Sequence, residues 1–525
     1  MDNNKSYFSY LSIAAAIFTV IGLLLGKYLY QDGPLVSFSS NNGKVEEVIS
    51  QVLERYVDTV NQSQVTDYTI TALLGHLDPH STYIPSEMVY QVREKMRGNF
   101  VGIGIEYRII DDSLVVVLPI EGGPSKKAGI LAGDRLIGLN GNEFNLGEIS
   151  VDSLSKLLRG KAGSKLKVLI YRPFGKKKLL VQLTRKEIPI YSIEAAFLLN
   201  DSIGFVHINR FAQKTFLEFK EATEKLIRKG AKNLIIDVRG NPGGLLKSAE
   251  SLCNEFLNTG DTILSTRRQN KIDYKIADGS GMLKNIPLTI IVDRNSASAS
   301  EILAGTLQDH DRATIVGRRT FGKGLVQAVI TLKDKSRINL TIAKYYLPSG
   351  RSIQKPYLEN ELIKYKMERY MRIESGELYN KKQMSLHDSL KFFTKKGRIV
   401  YSESGVTPDV LIPIDTVYFS RFQIKLREKG ILRDFAVKFY TPQQLEGDTP
   451  EECFQNINDT ELIKKLINYS ITRDIKWNNE NWIISKAYLL NKVKAYIIRL
   501  KFGNNGYKKM SSSMDKDILT AIDNN

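Results

Sequence analysis

Two short aliphatic runs set the strongest constraint on how this 525-residue chain can fold. Residues 234–238 read LIIDV and residues 288–292 read LTIIV, and small residues and then a helical pattern follow each run. A strand that is apolar on both faces has to be covered on both sides, which is typical of the parallel sheet of an α/β domain. The sequence from residue 188 to about residue 350 therefore predicts an α/β core, with helices at 245–257 and 299–308.

From residue 98 to about residue 186 the pattern changes to short strands separated by turns. The strand candidates are residues 100–107, 113–118, 135–140, 165–171 and 178–184, with short helices at 125–129 and 151–158. This succession resembles a PDZ domain, with Gly102, Ile103, Gly104 and Ile105 in the place of the carboxylate-binding loop. PDZ domains bind a peptide as an added strand and capture its C-terminal carboxylate with loop N–H groups. The resemblance therefore implies that these four residues bind substrate; the alternative is a small β-rich domain with a tight glycine turn.

The N-terminal residues 7–30 are almost wholly apolar, with Lys5 before them and Lys27 near their end. Their length is close to the ~20 residues that a membrane-spanning helix requires. Three interpretations compete: an uncleaved membrane anchor, a cleaved secretory signal and a buried helix of a soluble core. We see no convincing small-x-small cleavage site before Lys27, which favours the anchor over the signal. We expect residues 1–32 to be an anchor or signal, with the rest of the chain working outside the cytoplasm.

The remaining segments are helix-rich. Residues 44–97 have the spacing of short amphipathic helices. A polar, helical-looking insertion at 355–397 interrupts the core, which we place at 188–418, and a charged helical extension of unknown role fills 419–525. The predicted fold class is thus a multidomain α+β protein. It has an α/β core, an inserted β-rich domain at 98–187, N-terminal helices and a C-terminal helical extension.

Charge and cysteine usage exclude several classes of function. The formal charge of +18 is spread in short clusters without a long basic tail. There is no zinc-finger spacing and no RNA-binding aromatic signature, so this basicity is more typical of a solvated surface than of nucleic-acid binding. Weak attraction to anionic lipid is also compatible with it. Cys253 and Cys453 lie in different regions and form no metal-binding spacing, and we expect neither a metal nor a cofactor.

The chemical signal is a serine among small residues followed by a lysine between glycines. Ser298 lies in the run NSASASE at residues 295–301, and Lys323 follows 25 residues later in GKG. A serine hydroxyl needs a base to remove its proton, and a lysine can be that base only when its amine is neutral. Burial in a dry pocket or a nearby positive charge lowers the pKa of a lysine, as this role requires.

The surroundings of these two residues support a catalytic site. Ser298 and Glu301 match the S-x-x-E capping box, which predicts that Ser298 begins a helix. The N–H groups at a helix start favour negative charge, which suits the oxyanion of a tetrahedral intermediate. The glycine turn at 243–244 is a natural second donor, although an ordinary turn and close helix packing are the competing interpretation. If the segment after Lys323 is extended, Gln327 lies on the same face and can hold the lysine or the substrate.

A nucleotide-binding loop fits the sequence poorly. Residues 317–323 have the spacing G-x-x-x-x-G-K, but Gly324 stands where a magnesium-binding Ser or Thr is needed. The segment after it is strand-like rather than helical. This combination argues against an NTPase.

A histidine base is also a weak alternative. His310 is the histidine nearest to Ser298 in sequence, but a helix of roughly 18 Å separates the two. His207 has no marked partner in the sequence. The remaining histidines lie at a turn, where they satisfy local structure, or in the polar insertion: His76, His80 and His387.

Together these motifs resemble those of the carboxyl-terminal processing (tail-specific) proteases, serine peptidases with a Ser-Lys dyad and an inserted PDZ domain. The match covers roughly residues 44–415. Its most specific stretches are DVRGNPGGLL at 237–246, NSASASEILAGTLQD at 295–309 and GRRTFGKGLVQ at 317–327. The resemblance implies a crotonase-like fold for the core.

By that resemblance three side chains carry the chemistry: Ser298 as nucleophile, Lys323 as general base and Gln327 as the supporting polar residue. The backbone N–H groups of Ala299 and Gly244 would form the oxyanion hole, with Gly243 as the alternative to Gly244. The implied activity is that of an endopeptidase that recognises the C-terminal tails of proteins and cleaves through an acyl-enzyme.

The resemblance also bears on partners and place. It implies protein or peptide substrates with free C-termini, and it leaves an activating peptide or adaptor open. Together with the apolar N-terminal segment, it leads us to expect the chain on the periplasmic side of a bacterial envelope, anchored to the inner membrane by residues 7–30. The competing hypothesis is a non-catalytic PDZ scaffold with a degenerate protease core, and the intact Ser298 and Lys323 argue against it.

Overall fold

The structure, a computed structural model, describes residues 43–143, 151–357, 362–380, 390–403 and 405–525. The chain divides into two compact units, Met1–Ala72 and Leu73–Asn525. The described part of the first unit holds helix α1 (Gly43–Arg55) and the beginning of α2 (Gln62–Leu77). The apolar segment at 7–30 lies outside the described residues. Among the helices that are described, none combines the length and apolar character needed to cross a membrane.

The second unit mixes helices and strands. Its further helices in chain order are α3 (Ser86–Arg97), α4 (Pro124–Lys127), α5 (Val151–Leu158), α6 (Thr215–Arg228), α7 (Leu246–Asn254), α8 (Ala299–Asp309), α9 (Leu362–Glu374), α10 (Arg421–Glu428), α11 (Ile431–Phe439), α12 (Pro450–Asn456), α13 (Asp459–Ile471), α14 (Asn479–Ser512) and α15 (Lys516–Asp523). The strands are β1 (Thr82–Ile84), β2 (Asn99–Gly102), β3 (Ile105–Ile110), β4 (Ser113–Pro119), β5 (Arg135–Leu139), β6 (Asn142–Glu143), β7 (Lys165–Arg172), β8 (Lys177–Thr184), β9 (Lys186–Pro189), β10 (Ile193–Leu198), β11 (Ile203–Ile208), β12 (Asn233–Asp237), β13 (Thr262–Arg268), β14 (Lys271–Ile276), β15 (Leu288–Val292), β16 (Thr314–Gly317), β17 (Leu325–Thr331), β18 (Arg337–Tyr346), β19 (Lys391–Phe393), β20 (Ile399–Tyr401) and β21 (Val410–Leu411).

The core is a six-stranded sheet with the order β10-β11-β12-β15-β16-β21. From β11 to β21 neighbouring strands are parallel, whereas β10 pairs with β11 antiparallel. Val206, Ile236, Ile290 and Ile315 stand in register across four strands and are fully buried. The two aliphatic runs are therefore neighbouring strands inside an α/β core, as their composition predicts.

Helices cover both faces of this sheet. On one face α6, α7 and α8 pack into the main hydrophobic core. On the other face Ile518 and Ala521 of α15 pack against Ile235 and Ile291. The extension at 419–525, which the sequence presented as an appendage, thus contributes its last helix to the core.

A second sheet of five strands has the order β1-β18-β13-β14, with β17 also paired to β18. Strand β1, which the sequence did not predict, follows the turn at 78–81 and pairs antiparallel with β18. Because β17 pairs with the same strand β18, this arrangement brings the N-terminal turn close to Gln327 on β17.

The β-rich segment forms its own sheet in the order β3-β4-β5-β7-β8, with β6 paired to β5. The strand predicted at 100–107 is in fact two strands, because Gly104 takes a left-handed φ of 74° between them. Strand β2 pairs with β9, and β3 pairs with β4. The β2–β9 ribbon is the place where the chain enters and leaves this segment.

The insertion at 355–397 is only partly helical. Helix α9 is present, but the end of the segment pairs as β19 with β20 in a two-stranded ribbon. Tertiary packing accounts for the ribbon, because pairing with Phe392 places Val400 in a buried position. Residues 381–389, including His387, lie outside the described residues.

Helices α10 to α14 pack around a hydrophobic core of their own, in which Phe435, Leu466 and Leu489 are fully buried. Ion pairs join this bundle to strand β3. Arg108 pairs with Asp434 of α11, and Glu106 pairs with Arg499 of α14 at 2.7 Å. The β-rich sheet is therefore held against the C-terminal bundle as well as joined to the core by the β2–β9 ribbon.

Candidate active site

Helix α8 begins directly after Ser298, whose backbone has φ 54° and ψ −112°. Side-chain-bearing residues rarely adopt this conformation, which costs of order 1–3 kcal/mol and persists where the surroundings fix it. Gly243 packs closely against this turn. A Cβ at that glycine would lie 2.8 Å from Ser298 Cβ and 2.7 Å from the carbonyl oxygen of Ala297. The glycine loop therefore approaches the serine as closely as backbone atoms allow.

Glu301, in the first turn of α8, is fully buried and fixes the neighbourhood of Ser298. Its two oxygens accept four hydrogen bonds, from the N–H groups of Ser298 (2.8 Å), Gly322 (2.7 Å) and Lys323 (2.8 Å) and from the hydroxyl of Thr320 (2.5 Å). The hydrogen bond from the Ser298 N–H to the Glu301 side chain is one of the two bonds that define the predicted capping box. Burial raises the pKa of Glu301, and the four hydrogen bonds act in the opposite direction. One carboxylate thus joins the start of α8 to the loop that carries Lys323.

Lys323 is held in a largely buried position by Gln327. Its Nζ donates a hydrogen bond to Gln327 Oε1 at 2.9 Å, so the predicted proximity of these two side chains is observed. Burial lowers the pKa of Lys323, while the carboxylates of Asp78 and Glu301 raise it. The net effect favours the neutral amine more than water would.

The turn at 78–81 supports Gln327, and sequence reasoning missed this role. Gln327 Nε2 donates a hydrogen bond to the carbonyl oxygen of His80. The turn is fixed by Asp78, which accepts hydrogen bonds from the N–H groups of His80 (2.8 Å) and Ser81 (2.9 Å). A separation of 247 residues between His80 and Gln327 leaves no local signal that could reveal the contact.

The His80 ring lies beside the site but is tied to another element. Its Nε2 is 2.7 Å from the hydroxyl of Tyr365 on α9. Burial first, and then the charge of Lys323, lower the pKa of His80 to about 4. The ring is therefore neutral near pH 7 and packs edge-on against Phe321 and Tyr365.

Two backbone N–H groups beside the serine, those of Gly244 and Ala299, have no hydrogen-bond acceptor among the described residues. The N–H of Gly243, in contrast, donates to Asn241 Oδ1 at 2.8 Å. Asn241 is fully buried, and its Nδ2 donates to the carbonyl oxygen of Ile208 at 2.9 Å. Of the two glycines between which the sequence left a choice, Gly244 is therefore the one whose amide can donate to a ligand.

A cleft of about 680 Å³ brings Ser298, Lys323, Gln327 and Gly244 together on its lining. Its apolar wall is formed by Phe211, Leu245, Leu246, Ile302, Leu325 and Tyr345. Ser298 Oγ and Lys323 Nζ, both in the described part of the chain, share no hydrogen bond in this structure. Catalytic hydrogen bonds are often long before substrate binds and tighten in the complex.

We also examined the described residues for a metal site and for a reactive thiol. In the part of the chain that the structure describes, no three His, Cys, Asp or Glu side chains are grouped to hold a metal ion. Cys253 and Cys453 are buried free thiols. Burial raises the pKa of the Cys253 thiol, which keeps it protonated and unreactive.

The loop predicted to bind a carboxylate connects β2 to β3. Gly102 and Ile105 belong to the two strands, and the N–H groups of Ile103 and Gly104 meet no acceptor among the described residues. The carbonyl oxygen of Ile103 accepts hydrogen bonds from Ser125 N (3.1 Å) and Ser125 Oγ (2.6 Å), which fixes the loop. Strand β3 stands at the edge of its sheet beside α5. A loop with free amides at the end of an edge strand is the arrangement with which PDZ domains bind peptide ends.

Comparison with known families assigns three segments of the chain. Residues 202–363 match Peptidase family S41, and residues 101–184 match the PDZ domain. Residues 422–503, within the C-terminal bundle, match a family of unknown function, DUF8443.

Two curated relatives match between 60% and 65% of the chain. A carboxy-terminal-processing protease of Bartonella bacilliformis is 34% identical over 359 residues, which are 65% of this chain and 80% of the relative. The carboxy-terminal processing protease CtpB of Bacillus subtilis is 33% identical over 319 residues, 60% of this chain and 66% of the relative. Among solved structures, a photosystem II D1 C-terminal processing protease is 26% identical, with 72% of this chain and 89% of that chain covered and a TM-score of 0.36.

The close approach of Gly243 to the serine can be tested against a matched glycine. We expect Gly243→Ala to slow the modification of Ser298 by a fluorophosphonate about 10²-fold or more. The added Cβ would displace Ser298 and the neighbouring backbone N–H of Ala299. The control is Gly240→Ala in the same loop, which also has a positive φ but meets nothing within 4 Å. The measurement is the labelling rate by mass spectrometry. Equal rates for the two variants would contradict the packing described here.

Proposed function

The chain belongs to the carboxy-terminal processing proteases of peptidase family S41, and from that premise we propose that it cleaves protein substrates with Ser298 as nucleophile and Lys323 as general base. The observation that carries the proposal is one cleft lined by the serine, the partly buried lysine and the free amide of Gly244. This combination supplies a nucleophile, a base and an oxyanion donor together.

The reaction proceeds through an acyl-enzyme. Neutral Lys323 takes the hydroxyl proton of Ser298 while Ser298 Oγ attacks the carbonyl carbon of the scissile peptide bond. The N–H groups of Gly244 and Ala299 bind the oxyanion that forms. Lys323 then gives the proton to the leaving amine, and the C–N bond breaks to leave an ester on Ser298. A water molecule gives a proton to Lys323 as its oxygen attacks the ester carbonyl carbon. Lys323 then returns this proton to Ser298 Oγ as the C–O bond breaks, which releases the acid product and restores the serine.

Gln327 and Glu301 prepare the base for this role. Gln327 is a neutral acceptor at 2.9 Å, so it orients the Lys323 amine without a charge that would favour the ammonium form. Glu301 binds the Lys323 backbone N–H rather than its amine. Activity therefore requires loss of a proton from Lys323 and falls as the pH drops through the pKa of that lysine.

We assign the PDZ segment to recognition of substrate tails. The free N–H groups of Ile103 and Gly104 suit a C-terminal carboxylate, and the unpaired edge of β3 suits the preceding residues as an added strand. The same segment contacts the cleft through α3. Buried Glu94 of α3 pairs with Arg159, which follows α5, and the next two residues of α3 line the cleft. We propose that tail binding acts on cleft access through this helix.

Substitution of either dyad member tests the assignment directly. We expect Ser298→Ala and Lys323→Ala each to lower casein hydrolysis by about 10⁴-fold or more. Residues that act as one catalytic unit have non-additive effects, so loss of either one removes most of the rate enhancement. Lys344→Ala, at an exposed lysine of β18, serves as the control and retains activity. The measurement is the rate of casein digestion by each variant, followed by gel electrophoresis. Persistent cleavage by Ser298→Ala rejects Ser298 as the nucleophile.

The pH profile tests the neutral lysine. Gln327→Glu places a carboxylate at hydrogen-bond distance from the Lys323 amine, which stabilises the ammonium form and raises its pKa. The acid limb of the kcat/KM profile should therefore move to higher pH by about 1–3 units. Asn339→Asp, which puts a carboxylate elsewhere on the same cleft lining, is the control for charge alone. An unchanged acid limb in Gln327→Glu removes Lys323 from the role of base.

Removal of the PDZ sheet tests tail recognition. Residues 103–185 can be replaced by an Asn-Gly turn because Gly102 and Lys186 are paired neighbours on β2 and β9. We expect kcat/KM for a tailed protein to fall at least about tenfold, while a short generic peptide is cleaved at a similar rate. The same protein substrate without its tail is the control. A proportional loss on all three substrates argues against a recognition role.

A further inference from the structure

The loops of the proposed site leave the carboxyl ends of three neighbouring parallel strands. Strand β12 leads into the loop with Gly244, β15 into the turn with Ser298, and β16 into the loop with Lys323. Because β15 lies between the other two, the first and third loops start about two strand spacings, roughly 10 Å, apart. The oxyanion donor and the base act on one intermediate, so the separation of these two loops is critical.

Each of these outer loops starts with a largely buried arginine. Arg239 stands five residues before Gly244, and Arg318 stands five residues before Lys323. The side chains of Arg239 and Arg318 are only 18% and 13% exposed. Neither arginine lines the cleft, so a role in contacting substrate does not account for them.

One carboxylate from the C-terminal end of the chain binds both arginines. Asp517 Oδ2 is 2.9 Å from Arg239 Nη1 and 2.7 Å from Arg318 Nη1, and Asp517 Oδ1 is 2.9 Å from Arg318 Nη2. Asp515 holds Arg239 with both oxygens at 2.9 Å. Asp237, at the end of β12, completes the cluster with a 2.7 Å bond to Arg239 Nη2.

The two aspartates are themselves firmly placed. Asp515 caps α15 by accepting hydrogen bonds from the N–H groups of Asp517 (3.1 Å) and Ile518 (3.3 Å). Ile518 and Ala521 anchor the same helix in the apolar cluster beneath the core sheet. The carboxylates therefore reach the arginines from a rigid support rather than from a free tail.

We propose that Asp517, assisted by Asp515, is a positioning residue that fixes the oxyanion loop relative to the lysine loop. Residues 515–525 then contribute to the geometry of the proposed site through these two aspartates. The inference rests on the proposed function, because it gives catalytic roles to Gly244 and Lys323. Neither aspartate touches substrate; both act through the arginines that open the two loops.

The expected effect follows from the burial of the charges. Removing one partner of a buried ion pair leaves an uncompensated charge, and the structure relaxes to solvate it. Among the described residues, Asp517 is the only carboxylate that binds Arg318, whereas Arg239 keeps Asp515 and Asp237, so the relaxation shifts the lysine loop relative to the oxyanion loop. A displacement of about 1 Å in a catalytic group costs about 10²-fold in rate. The loss should appear in kcat, because the hydrogen bonds of the cluster within the described residues join the arginines and aspartates to one another and not to the apolar wall of the cleft or the PDZ loop.

The test compares Asp517→Asn with Asp523→Asn in the full chain. Asp523 is an exposed residue of the same helix, so its substitution controls for lost charge. We expect Asp517→Asn to lower kcat on a short peptide about 10²-fold with KM changed less than about threefold. It should also shift the acid limb of the pH profile, because the Lys323 loop moves. Asp517→Glu should recover part of the activity.

A purely structural role predicts a different pattern. Asp517→Asn would then lower the melting temperature but leave kcat and the acid limb unchanged at a temperature where the variant is folded. That result overturns the inference. If Asp517→Asn does not fold, Asp515→Asn carries the test, since Asp515 binds Arg239 alone of the two arginines. It should lower kcat without moving the acid limb; wild-type kcat overturns the inference.

Failure of this inference is distinguishable from failure of the proposed function. If Ser298→Ala and Lys323→Ala retain activity, the proposed function itself is wrong. If those two variants are inactive while Asp517→Asn and Asp515→Asn match the wild type, the dyad stands and only the positioning role falls.

Discussion

The arrangement of the site depends on one buried carboxylate, that of Glu301. It accepts hydrogen bonds from the Ser298 N–H at the start of α8 and from the Gly322 and Lys323 N–H groups. A buried carboxylate is stable only when its oxygens are satisfied, so the helix start and the lysine loop are drawn to the same point. The proposed nucleophile and base therefore come from segments that a single side chain holds together. Glu301 binds the backbone N–H of Lys323, while the Lys323 amine donates its hydrogen bond to the neutral side-chain amide of Gln327.

The core sheet explains why distant parts of the chain meet at this point. Parallel strands end on the same edge, so the loops after β12, β15 and β16 lie side by side. The N-terminal turn at 78–81 reaches this edge by pairing β1 with β18, and the C-terminal helix α15 reaches it from beneath the sheet. Both ends of the second unit thus contact the loops of the proposed site.

Local patterns predicted much of this structure. The buried strands, the bounds of α5 and the start of α8 at Ser298 follow from periodicity and capping signals that a few residues determine. The contact between Lys323 and Gln327 also follows from residues four apart on an extended segment. Predictions were wrong where long-range packing overrides local preference. The segment at 100–107 divides between two sheets at Gly104, and the end of the insertion pairs as a ribbon.

The sequence by itself determined which groups are available for chemistry: a serine at a helix start, a lysine between glycines and a glycine turn after a buried strand. Only the tertiary structure decided how these groups are buried, oriented and hydrogen-bonded. Asn241 accepts the hydrogen bond of the Gly243 N–H, whereas the Gly244 N–H meets no acceptor among the described residues, and the His80 carbonyl oxygen accepts a hydrogen bond from Gln327. These choices depend on burial and on hydrogen bonds between residues far apart in the chain. Desolvation and orientation arise only when the strands and helices have packed, and no local pattern encodes them.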